Sequence, residues 1–282
     1  PLTRRRLLQS VCSGAVGLTA WYQGWPHLRR AVAQKHGSSG QMTWALHVTV
    51  ASSWFDPGET LALITPYMVL YAIHDALLKP MPDHAMFPCL ATTWSESADG
   101  LTYDFELRQG VTFHNGDPFT AEDVLFSFAR YRGAGAEDLH KRVQAVEIVN
   151  AHHVRFHLHE LWPDFLTFYG TIATGAGWIV PKTYVEKVGD EGFKNQPVGL
   201  GPYRLVSHQP GVQVVLEAYP EYWGNTPHVK RLVMKGVPEP TTRLAMLKRQ
   251  EADVAYGMYG AVAEEIQREP TLKLLPAVGQ TI

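Results

Sequence analysis

The chain lacks most of the features that mark enzymes, membrane proteins and nucleic-acid binders. It carries only two cysteines in 282 residues, Cys12 and Cys89. With residues 1–33 read as a cleaved leader, as argued below, Cys89 stands alone, which excludes an internal disulfide and a cysteine-based zinc site. Cys12 lies too early, with no apolar run ahead of it, to be a lipidation site. Net charge is only −2, so no electrostatic attraction to nucleic acid or to an anionic membrane surface is expected. No apolar run is long enough to span a bilayer. A G-x-S-x-G elbow, a phosphate-binding loop, HExxH and CxxC are all missing, and no motif pairs two carboxylates for general acid–base work. No metal and no cofactor are therefore expected. A secreted hydrolase stays open as a reading, because lacking a familiar motif does not exclude an active site.

What is present is ordinary globular material, 45% hydrophobic and 18% charged, with 8 Trp and 12 Tyr. Its most legible stretch is residues 94–131. Asp99-Gly100 is a turn dipeptide. Leu101, Tyr103, Phe105 and Leu107 then alternate with Thr102, Asp104, Glu106 and Arg108, the period of a strand with one buried face. Asn115-Gly116 turns the chain again, and Thr120 is placed as the N-cap of a helix. Asp123 sits at its third position, Phe119 is set to pack on Val124, and the acidic Glu122 and Asp123 suit the helix dipole.

This stretch, together with Pro181 onward (PKTYVEKVG), the Gly199-Leu200-Gly201-Pro202-Tyr203 block, Tyr222-Trp223 and Arg249-Gln250-Glu251-Ala252-Asp253, resembles the family 5 extracellular solute-binding proteins. The resemblance runs from Thr43 to the end. It implies a periplasmic-binding-protein-like α/β lobe (type II, cluster C) with a mixed sheet and an inserted subdomain that includes residues 94–131. It also implies a receptor that takes a peptide or similar small solute, or a nickel complex, and hands it to the permease subunits of an ABC importer. Family positions place Ser52, Ser53, Trp54, Tyr256, Met258 and Tyr259 on one wall of the ligand cleft. Members are about twice this length, so residues 34–282 are expected to form the first of two lobes, with the second absent. Gln250 stands where the family carries the glycine that ends a helix.

The start of the chain reads as an export signal of twin-arginine type. Arg4-Arg5-Arg6 is followed by a weakly apolar run and then by Ala31-Val32-Ala33, a cleavage site, which implies a periplasmic location. Further on, Trp44–Val50 is expected as a strand and Ser52–Pro57 as a loop. A helix opening at Thr65-Pro66 should bury Val69, Ile73 and Leu77 and stop at Lys79-Pro80. Residues 133–136 should be a loop, and 143–149 with 152–159 a hairpin. On its second strand Val154, Phe156 and Leu158 point inward, which sends His157 and His159 to solvent rather than to a metal. The glycines at 199 and 201 do not form a dinucleotide fingerprint, since a proline and a strand follow them. Pro240–Gln250 reads as a helix with Leu244 and Leu247 inward, and Gly260–Pro270 as the last helix.

Overall fold

The computed structural model describes residues 38–61, 67–81, 84–170 and 175–275. The leader, Cys12 and the Thr65-Pro66 helix start lie outside them. Strands β1 (Ser39–Leu46), β8 (Tyr203–Gln209), β9 (Gln213–Ala218), β10 (Val229–Gly236) and β11 (Val254–Ala255) make a five-stranded mixed sheet ordered β11-β1-β10-β9-β8. β1 runs parallel to both β10 and β11, while β9 is antiparallel to its neighbours β10 and β8. Between β1 and β8 the chain inserts a subdomain whose main sheet is antiparallel, ordered β4 (Ala91–Glu96), β5 (Thr102–Leu107), β7 (His153–Leu158), β6 (Val143–Asn150). Among the described residues no helix is long and apolar enough to cross a membrane.

The five-stranded sheet is covered on both faces. Met42, Trp44 and Leu46 of β1 pack with Val214, Leu216, Leu232 and Met234 against α1 (Tyr67–Ile73), where Val69, Ala72 and Ile73 are buried. Ala45 points the other way, onto Met246 and Ala252 beside α6 (Pro240–Lys248). The alternation along β1 follows from the two-residue repeat of a strand. The larger core lies in the subdomain, where Tyr103, Phe105 and Leu107 of β5 meet Val154, Phe156 and Leu158 of β7 beneath α2 (Ala121–Arg130). Each such fully buried side chain contributes about 1.5–3 kcal/mol. Thr120 caps α2 as expected: its N–H donates to Asp123 Oδ2 at 2.9 Å, and Phe119 and Val124 share the core.

Several local expectations shift. β1 starts at Ser39 and ends at Leu46, short of Val50, because its length is set by β10. Where β10 stops at Gly236, the Val237 N–H donates to the Leu46 carbonyl and the chain leaves the sheet. Helix α1 ends at Ile73, and Lys79-Pro80 lies within strand β2 (Leu78–Met81), which pairs with β3 (His84–Pro88). Tertiary partners take the backbone past Ile73. The carbonyls of Ile73, Asp75 and Ala76 accept from the N–H groups of Gly201, Ile179 and Leu90. Residues 136–142, partly expected as loop, form helix α3 (Ala136–Arg142), whose only buried hydrophobic is Leu139. Acidic Glu137 and Asp138 open it, and His140, Lys141 and Arg142 close it, both in keeping with the helix dipole. In α6 the buried side chains are Arg243, Leu244 and Met246, while Leu247 is half-buried. His157 is half-exposed on β7, its Nε2 2.9 Å from Glu147 Oε2, and His159 lies exposed beyond the strand.

Candidate functional site

β1, β8, β10 and β11 all point the same way, so their carboxyl ends share one rim of the sheet. Open α/β sheets place ligands at such a rim, where loops diverge from a rigid base. At one end of it β11 runs into Tyr256, whose N–H donates to the Ala45 carbonyl at 3.2 Å. The Tyr256 ring lies 5.0 Å from that of His47, the first residue past β1. Met258 and Tyr259 follow before helix α7 (Ala261–Arg268), with Tyr259 74% exposed.

Beneath these residues lies Arg243 of α6, 1% exposed. Its Nη1 donates to the carbonyls of Val237 (2.7 Å) and Pro238 (2.6 Å), and its Nη2 to that of Gly257 (2.8 Å). One guanidinium thereby ties the loop after β10 to the loop after β11. Burial first, and then this cation, hold the His47 imidazole below its ordinary range.

The other end of the rim is built differently. From His47 the chain runs past Gly236 at the end of β10, toward the His208 ring on β8, whose Nε2 is 3.2 Å from the Val50 carbonyl. Ser52–Phe55 then forms a short 3-10 turn rather than an open loop. Ser52 lines a groove of about 510 Å³ with Tyr184, Asn195–Val198, Leu205–His208 and Pro210. Trp54 is half-buried against the α1 face of the sheet, and Ser53 is exposed. Phe55 and Asp56 are fully buried and anchor the turn.

Asp56 receives both Nη groups of Arg130, at 2.8 and 2.5 Å, and Arg130 also reaches Asp190 at 2.8 Å. Asp190 sits in α5 (Lys182–Asn195), and hydrogen bonds from Arg132 and Arg130 bring its carboxyl down to about 2. His74 Nε2 is 3.0 Å from the Phe55 carbonyl, which can only accept, so that nitrogen carries the proton. His114 is fixed the same way, with Nε2 donating to the Gly201 carbonyl at 2.9 Å and Nδ1 accepting from the Gly199 N–H at 3.3 Å. Burial lowers both imidazoles, His74 to about 3 and His114 to about 4. The two glycines are required by contact: a Cβ at Gly199 would stand 2.0 Å from the Ile73 carbonyl oxygen, and one at Gly201 2.5 Å from the Ile73 carbonyl carbon.

Of the six residues expected on the cleft wall, Ser52 lies on the β8 side of the rim and Tyr256 on the β11 side, with Ser53 and Trp54, and Met258 and Tyr259, close to them in sequence. Four strand spacings separate β11 from β8, roughly 19 Å. His47 and Arg243 escaped the sequence reading. The available signal was an arginine beside Leu244 on the inward stripe of a helix.

A mixed sheet with helices on both faces, an inserted antiparallel subdomain and a loop-built rim is the architecture of a type II periplasmic-binding-protein lobe. Residues 85–281 match the bacterial extracellular solute-binding proteins, family 5 Middle, and the chain belongs to that family, whose members are solute-binding proteins rather than enzymes. It is 31% identical over 260 residues to Di/tripeptide-binding protein 2 of Pseudomonas aeruginosa, covering 83% of this chain and 48% of the relative. It is 29% identical over 193 residues to the Nickel-binding periplasmic protein of Escherichia coli, covering 67% of this chain and 36% of that protein. Among solved structures it superposes on the ABC transporter-associated periplasmic binding protein DppA from Helicobacter pylori in complex with peptide STSA. There the TM-score is 0.71 at 26% identity, over 82% of this chain and 49% of that one. The chain spans about half the length, or less, of the curated relatives it matches.

Proposed function

We propose that this chain is part of the periplasmic substrate-binding component of an ABC importer and that its solute is a peptide. The observation that carries this is the relationship to Di/tripeptide-binding protein 2 over most of the chain. The strand-end rim, with its exposed tyrosines, supports it. Ser52, Ser53, Trp54, Tyr256, Met258 and Tyr259 form the wall that meets the solute. Tyrosine suits such a wall because it offers a rigid apolar face and one hydrogen-bonding group at low entropic cost. The work is binding without chemistry: the solute shifts a conformational equilibrium, and the loaded form docks on permease subunits. The relationship to the Nickel-binding periplasmic protein supports a second reading, in which the solute is a nickel complex.

Calorimetry with Ala-Ala, Ala-Ala-Ala and nickel–histidine separates the two readings. Heat of binding from either peptide, lost in Tyr256→Ala, is the expected result. Uptake of nickel–histidine alone would replace the peptide reading. The Arg4-Arg5 pair and Ala31-Val32-Ala33 further support export by the twin-arginine route. Changing both arginines to lysine should leave precursor in the cytoplasm, and normal maturation in cells lacking that translocase would refute the route.

A further inference from the structure

We propose that Arg243 is the positioning residue of the solute-facing rim, setting where Tyr256, Met258 and Tyr259 stand relative to His47. This rests on the reading of that rim as the solute wall.

Three observations converge on it. Arg243 is buried, and its hydrogen bonds go to backbone carbonyls on two separate loops: Val237 and Pro238 after β10, and Gly257 after β11. Among the described residues it forms no ion pair. The groups that act on its charge are Tyr259 and then the exposed Glu239, at the N-cap of its own helix. Carbonyl oxygens are thus the partners of both Nη groups, while the buried Nε has none, and the guanidinium fixes backbone rather than neutralising a carboxylate.

Second, the segment it holds has little other restraint. Gly257 (φ 71°) and Gly260 (φ 59°), both in the left-handed region, bracket Met258 and Tyr259. With Tyr259 74% exposed, its side chain adds little packing. Among the described residues, backbone pairing to β1 ends at Tyr256.

Third, the tie extends to the loop after β1. A Cβ at Gly257 would stand 3.2 Å from His47 Cβ and 3.5 Å from Arg243 Nη2, so the carbonyl that Arg243 grips belongs to a residue packed on His47. His47 in turn contacts the Tyr256 ring and begins the run that leads to Ser52. A planar fork with donors on two sides can hold both loops at once. A lysine ammonium keeps the charge but cannot reproduce that geometry.

The test is Arg243→Lys in the whole 282-residue chain, with Arg243→Met beside it, followed by amide hydrogen exchange resolved by segment. In Arg243→Lys, exchange in 256–260 and 237–239 should quicken roughly tenfold or more, while β4, β5, β6 and β7 exchange as in the parent. Ala-Ala binding measured by calorimetry should weaken by a similar factor. Unchanged exchange in the two loops, or equal acceleration across the whole chain, would overturn the proposal. So would local acceleration with unaltered Ala-Ala affinity. If the parent chain itself takes up no Ala-Ala, the peptide reading of the rim fails, and the exchange pattern alone decides the role of Arg243. Should Arg243→Met fail to fold, the charge-retaining lysine variant still gives the answer.

Discussion

Two arginines, the part-buried Arg130 and the buried Arg243, hold two regions of this molecule in opposite ways. Arg130 joins the 3-10 turn, α2 and α5, and its charge is answered by the fully buried Asp56 and by Asp190. Gly199, Gly201, His74 and His114 close the same joint between sheet and subdomain with contacts that admit no extra atom. Arg243 is more deeply buried, yet its partners are three carbonyls on two loops. The joint is compensated in charge and packed in volume, which suits a scaffold. The rim is fixed in geometry, with tyrosines left exposed above it, which suits a surface that meets something else. Burial of an arginine says little about its role until its acceptors are named.

The contrast breaks if the two arginines prove equivalent. Arg130→Met should cost about 3–5 kcal/mol in denaturant unfolding, because it strands a carboxylate with no exposure to water. A loss below about 1 kcal/mol would mean Asp56 is neutral or hydrated, and the joint would not be charge-compensated.

The joint should also be acid-sensitive. His74 and His114 titrate in the fold well below the ordinary 6.5, so the unfolded chain binds more protons as pH falls from that value toward 4. Their contribution is fully present above pH 6.5 and is lost through that window. Between pH 7.5 and pH 5 the loss is roughly 2 kcal/mol for each imidazole, at about 1.4 kcal/mol per pH unit. Equal denaturation midpoints at the two pH values would show that these imidazoles are not held neutral.

At the rim, Arg243→Met should cost only about 1–3 kcal/mol, since it leaves carbonyls unpaired rather than a stranded charge. A cost matching Arg130→Met would erase the distinction. The smallest effect sharpens the local picture: Gln250 sits at φ 58°, the left-handed position just past α6. Gln250→Gly should therefore stabilise by roughly 0.5–1 kcal/mol, read as a rise in thermal midpoint. No rise would mean the side chain compensates its strained backbone.

Legibility in the sequence followed the range of the determinant. Strand β5, the capped start of α2 and the β6–β7 hairpin were readable because period-two alternation, an N-cap with its acidic third residue, and turn residues act within a few positions. The end of β1 and the early stop of α1 were not, because residues more than about 100 positions away determine them: Val237 closes β1, and Gly201 and Ile179 take the carbonyls past α1. The strand at Lys79-Pro80 was missed although its partner β3 lies close in sequence. Helix α3 was missed for a different reason. Its charges complement the dipole, but with Leu139 as its only buried hydrophobic it shows no apolar stripe.

By itself the sequence determined the family, the mixed α/β class and the segments that alternate or cap locally, since those signals are carried by neighbouring residues. It also named Tyr256, Met258 and Tyr259 as a group. Only the tertiary structure decided that Ser52 and Tyr256 stand at opposite edges of one rim, because strand order is set by pairing between distant segments. It alone showed that Arg243 is buried on α6 beside Leu244 and grips both loops. A buried guanidinium is tolerated only where donors and acceptors converge from separate parts of the chain, and that convergence exists only once the chain has folded.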